Sequence, residues 1–118
     1  MKTTKKDFER FKGAFRWWQE RLGLTDYRTD FFHGGLEPHE AGYCETDIEN
    51  CVAKVSFAPA CDNVPEKTGR HEALELLLAE LWILGQYRWV RRDELEAARH
   101  RVIRRLENVF DGMEGEVK

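Results

Sequence analysis

The chain has 118 residues, 42% of them hydrophobic and 35% charged, with a net charge of −3. That length fits one compact domain, and that balance excludes both a disordered chain and a polycation. Three cysteines (Cys44, Cys51 and Cys61) make an odd set without C-x-x-C spacing, which excludes a disulfide framework and points to reduced thiols in a cytoplasm.

The N-terminal residues Lys2, Lys5 and Lys6 are followed by no apolar run, so no secretory signal is expected. Thr4 and Asp7 form a capping-box pattern. Phe8, Phe11, Phe15, Trp18 and Leu22 then recur at three- and four-residue steps, which predicts one buried helix face ending at Gly23. Trp17 falls about 100° off that stripe and is expected at the surface.

Residues 27–32 are rich in strand formers, and Gly34, Gly35 and Pro38 break the run. His33 and His39 fall on this Gly/Pro stretch in no standard zinc spacing and are read as loop residues. Residues 41–46 predict a second strand and 47–50 its turn. Residues 51–57 are the best strand, with Cys51, Ala53, Val55 and Phe57 on one face and Lys54 and Ser56 on the other. Such short links predict an antiparallel meander.

Residues 58–69 carry Pro59, Pro65 and Gly69 and read as a loop, with Thr68 capping a helix that runs to about Leu84 and stops at Gly85. Its longest apolar stretch, 76–84, is interrupted by Glu80 and is too short to span a bilayer, so no membrane partner is expected. A last helix starts near Asp93, with Leu95, Ala98, Val102, Leu106 and Val109 as its apolar face, and 111–118 read as a flexible tail. The resulting class is α+β: a single domain over 1–110 with an N-terminal helix, a three-stranded, mainly antiparallel sheet, a central helix and a C-terminal helix.

The central helix opens on His71-Glu72-Ala73-Leu74-Glu75. This differs at one position from H-E-x-x-H, in which two His one turn apart hold zinc and the intervening Glu activates water. Leu74, Leu77, Leu78, Leu81 and Leu84 group on a broad face predicted to be buried, with His71 and Glu75 stacked at its edge. Glu72 and Glu80 are expected to point outward. Beside the core, Glu75 is costly unless paired, protonated or bound to metal. His71 and Glu75 can therefore share one metal ion, and Glu72 has the place of the general base. A third ligand would come from Glu96 or His100 of the last helix. Glu75 at the solvent edge, paired with an Arg of the last helix, fits the same spacing.

An N-terminal helix ending Trp17-Trp18-Gln19-Glu20-Arg21-Leu22-Gly23-Leu24, three strands, a His71-Glu72 helix and a closing helix with Val102-Ile103-Arg104-Arg105-Leu106-Glu107 resemble small metallopeptidase-like proteins of phages and prophages. These are similar to a pared-down zincin of the SprT-like kind. The resemblance implies a zinc cofactor, His71 as ligand, Glu72 as catalytic base and Glu75 at the second ligand position. His100 is preferred over Glu96 as third ligand. The substrate would be a peptide or protein, and Glu75, an anion in place of an imidazole, would weaken or abolish hydrolysis.

A different class of function is also legible. Seven Arg against three acids between Arg88 and Arg105 give +4 locally and leave −7 elsewhere. Tyr87-Arg88-Trp89-Val90-Arg91-Arg92 mixes aromatics with cations, so Arg88, Trp89, Arg91 and Arg92 are candidate nucleic-acid contacts. A non-catalytic binding or assembly protein is the alternative to the peptidase.

Overall fold

The computed structural model describes residues 1–36, 39–87 and 89–117. Pro38, read as a strand breaker, Arg88, read as a nucleic-acid contact, and Lys118, read as part of the tail, lie outside them. The described residues form an α+β structure, with three helices and a three-stranded sheet among them.

Helix α1 spans Lys5–Arg21 and begins with the predicted capping box. Thr4 Oγ accepts the Asp7 amide at 3.1 Å, and the Asp7 carboxylate accepts the Thr4 amide at 2.9 Å. Phe11, Phe15 and Leu22 of the aromatic stripe are buried, and Phe8 and Trp18 pack against them. Gly23 has a φ of 69° just beyond the last turn, a left-handed conformation in which a side chain is strained. Buried Gln19 donates from Nε2 to the carbonyls of Leu24 and Tyr27 at 3.0 and 3.1 Å. Those two bonds fix the turn into the sheet.

The strands are β1 (Arg28–His33), β2 (Gly42–Asp47) and β3 (Val52–Phe57). The expected meander is not formed. The sheet order is β1-β3-β2, with β3 parallel to β1 and antiparallel to β2. The physical reason lies in β3, whose Ala53, Val55 and Phe57 are fully buried. The most apolar strand takes the centre, where both of its backbone edges are paired. The connection between β1 and β2 therefore carries the chain past β3, and Gly34 and Gly35 begin it at φ 136° and 72°. His33 closes β1 rather than lying in the loop. Its ring stacks on Phe8 and Phe57, and its Nε2 lies 2.7 Å from Thr3 Oγ.

Helix α2 spans Pro65–Leu84, four residues earlier than the Thr68 cap predicts. Pro65 occupies the first turn, where its missing N–H costs nothing. The buried face is not the broad leucine face. It runs through Thr68, Gly69, Glu72, Ala73, Leu76 and Leu77, while Leu74 and Leu78 are 38% and 47% exposed. Gly69 explains the rotation. A Cβ there would lie 2.6 Å from the Phe11 carbonyl oxygen, so α1 crosses α2 in close backbone contact at a residue without a side chain. Leucine size therefore does not select the buried side; the small residues at the crossing do.

Helix α3 spans Arg92–Val117, so 111–117 are helical where a tail is predicted. Ala98 and Val109 are buried, Val102 and Leu106 join the core edge, and Leu95 is exposed. Glu80 of α2 meets Arg101 of α3 at 2.6 Å. This is a partly buried ion pair, not the outward-facing carboxylate that the sequence predicts.

Candidate functional site

Successive residues of a helix turn by about 100°, so His71, Glu75, Leu78 and Trp82 lie along one stripe of α2. All four are exposed, Trp82 at 72%. Glu72 lies at the border between this stripe and the buried face, turned toward β2. The inner side of β2 carries Gly42, Cys44 and Thr46, which alternate in burial with exposed Tyr43, Glu45 and Asp47.

Glu72 is 3% exposed. This reverses the expectation: Glu72 is the buried carboxylate, and Glu75, with its side chain 50% exposed, is not. Room for the Glu72 carboxyl is made by Gly42, where a Cβ would stand 3.0 Å from Glu72 Oε2 and 2.9 Å from Thr68 Cγ2. Glu72 Oε1 is buried with no hydrogen-bond partner among the described residues. Burial, then the neighbouring charge of Glu75 and a hydrogen bond to it, raise the Glu72 carboxyl to about 8. Burial likewise pushes the Cys44 thiol up to about 12, which keeps it protonated and unreactive as a nucleophile at neutral pH.

Two adjoining depressions follow β2. One, of about 550 Å³, is lined by Cys44 and Thr46 on the strand side and by Glu75, Leu78, Trp82 and Ile83 on the helix side. The other, of about 460 Å³, lies at Ala41 and Gly42 against Thr68, His71 and Glu72. The acid pair Glu72 and Glu75 thus stands where they meet. β2 is an edge strand. In its antiparallel ladder the Ala58 amide donates to the Ala41 carbonyl. Alternation from that pair turns the N–H and C=O of Tyr43, Glu45 and Asp47 toward β3, and those of Gly42, Cys44 and Thr46 away from it. The free edge therefore offers three donors and three acceptors beside an apolar wall.

The residues predicted to hold zinc are only partly brought together. His71 Nε2 lies 3.3 Å from Glu75 Oε1, an i,i+4 ion pair on the exposed side of α2. His100 is exposed on α3, as is Glu96, which lies 3.7 Å from Arg99. No three His, Cys, Asp or Glu among the described residues are placed to hold a metal ion together. A zinc ion needs at least three protein donors. As placed, this donor set does not fit the metal that the resemblance implies, and Glu72, the expected base, points into a protein-lined pocket instead of at such an ion.

The candidate nucleic-acid contacts fare differently from one another. Trp89 is 84% exposed and Arg92 is exposed at the start of α3. Arg91, however, lies 3.2 Å from Glu94 and 3.6 Å from Asp93. With Arg99 and Arg101 also held by Glu96 and Glu80, much of the local positive charge is already balanced. Trp17 is exposed as expected, with the Arg21 guanidinium 4.1 Å over its ring.

The groove itself, and Gly42 within it, escape the sequence reading. A glycine inside a strand pattern signals close approach of a neighbour, and that signal is present at position 42. No helix among the described residues is long and apolar enough to cross a membrane. Comparison with known proteins finds no matching family model, no matching curated protein and no matching solved structure.

Proposed function

We propose that this chain is a polypeptide-binding domain, in which an extended segment of a partner adds to the free edge of β2 and lays side chains against α2. The observation that carries this reading is the edge of β2, unpaired among the described residues, bordering a groove whose far wall is the exposed pair Leu78 and Trp82. Edge strands are usually blunted by lysine, proline or a bulge. β2 has no lysine and no proline. Backbone hydrogen bonds would supply affinity without regard to sequence, and the groove would select side chains at alternate positions of the ligand.

The reading retains the cleft that a zincin resemblance implies and assigns it binding without a metal-dependent step. The three unpaired cysteines suit a reducing, cytoplasmic setting. Amide shifts in a titration with a soluble seven-residue strand peptide test the proposal. Gly42, Cys44 and Thr46 are expected to move together, more than Tyr43 and Glu45. Shifts confined to α3, or to none of these residues, refute it.

A further inference from the structure

We propose that the acid pair Glu72 and Glu75 receives the cationic side chain of a lysine or arginine carried by the segment that β2 binds. This inference rests on the strand-binding reading and adds the identity of one ligand residue.

Two independent observations support it. The first is the orphaned acceptor. Glu72 is 3% exposed, lines the depression at Gly42 and leaves Oε1 without a donor among the described residues. A buried carboxylate oxygen without a partner carries a desolvation cost that a ligand donor removes. An ammonium or guanidinium brings several donors at once and a charge opposite to that of Glu75, and to that of Glu72 once the proton held there is released to solvent on binding.

The second is the charge of the surroundings. Glu75 adds a half-exposed carboxylate one turn along, and the lining of the groove beyond it includes no Lys or Arg. Lys67 and Arg70 line the adjoining depression, yet no cation among the described residues pairs with Glu72. His71 engages Glu75 through Oε1 at 3.3 Å on the outer side.

The position also fits an added strand. Glu72 lies against Gly42, which turns its N–H and C=O to the free edge. A ligand residue paired with Gly42 would reach the acid pair, while residues two further along would meet Leu78 and Trp82. The ligand pattern is therefore a basic residue alternating with apolar ones on the helix-facing side.

The test uses the full chain in EDTA and three blocked seven-residue strand peptides with lysine, norleucine or glutamate at the central position. Norleucine keeps most of the alkyl chain and removes the charge. The lysine peptide is expected to bind at least about 10-fold tighter than the norleucine peptide, and the glutamate peptide weakest, the gain of a charge-assisted hydrogen bond at a desolvated site. Glu75→Gln and the isosteric Glu72→Gln should each bring lysine and norleucine to within about 3-fold of one another, a small remnant of that gain. Equal affinity of the lysine and norleucine peptides for the unaltered protein, with the edge amides shifting for both, overturns this inference and leaves the strand-binding reading standing. No shift at Gly42, Cys44 and Thr46 with any peptide overturns both. A lysine preference that survives both substitutions places the cation elsewhere and also overturns the inference.

Discussion

Replacing Glu72 with glutamine should stabilise the protein, and by an amount that grows with pH. The carboxyl has an ordinary value of 4.5 and sits at about 8 in the fold, because burial and the charge of Glu75 disfavour its ionised form. Between those two values the folded protein holds a proton that the unfolded chain has released. Stability therefore falls as pH rises through this window: the penalty is absent below about 4.5 and complete above about 8. At about 1.36 kcal/mol per pH unit, the interval sets a ceiling near 5 kcal/mol. Water in the adjoining groove screens part of it, so about 2–3 kcal/mol is expected. Glutamine keeps the shape beside Gly42 and does not ionise. Urea unfolding of both proteins at several pH values between about 5 and 8 measures the difference directly. The advantage of Glu72→Gln should widen by about 2–3 kcal/mol across that range. A constant difference would refute the placement of Glu72 in a desolvated, acid-paired position.

The edge of β2 makes a second pair of substitutions informative. Thr46→Pro removes an N–H that faces away from β3, so the protein should stay folded within about 1–2 kcal/mol while strand peptides lose binding. Glu45→Pro removes a ladder bond to β3 and should cost about 3 kcal/mol or more. Equal stability of the two variants would refute this alternation, and a less stable Thr46→Pro would show it reversed. At the helix crossing, Gly69→Ala puts a Cβ 2.6 Å from the Phe11 carbonyl oxygen. Overpacking of about 1–3 kcal/mol or more should exceed the roughly 1 kcal/mol that alanine gains in a helix. A thermal melt no lower than that of the wild type would count against the close crossing. Protein purified without chelator or histidine tag should carry only sub-stoichiometric zinc, unchanged by His71→Ala. One zinc per chain that disappears in His71→Ala would restore the metallopeptidase reading.

Local rules made much of the fold legible. The capping box of Thr4 and Asp7, the aromatic stripe of α1 and the alternating face of β3 each depend on near neighbours in the chain. The strand order and the buried face of α2 do not. Both depend on what lies opposite, and a leucine-rich helix offers several sides that look equally apolar. Gly69 and Ala73, small and easily passed over, decide which side meets α1. That rotation carries Glu72 inward and Leu78 and Trp82 outward, so the candidate site changes character with it. The stacking of His71 and Glu75 one turn apart followed from their four-residue spacing, although Glu75 meets His71 itself and not an Arg of α3, whereas His100 depended on where α3 lies. Glu96 and Arg91 found partners three residues away, in Arg99 and Glu94, whereas Arg101 reached across to Glu80 of α2.

The central place of β3 also orders the steps by which the sheet can assemble. Its even-numbered residues bond to β2 across a tight turn, and its odd-numbered residues bond to β1, whose Arg28 pairs with Val52 from far back in the chain. Closing the longer loop costs more entropy before any contact rewards it. The hairpin of β2 and β3 is thus the natural first unit, with β1 docking later. Pulse-labelled amide exchange would read both events on one strand, with Lys54 and Ser56 protected before Ala53 and Val55.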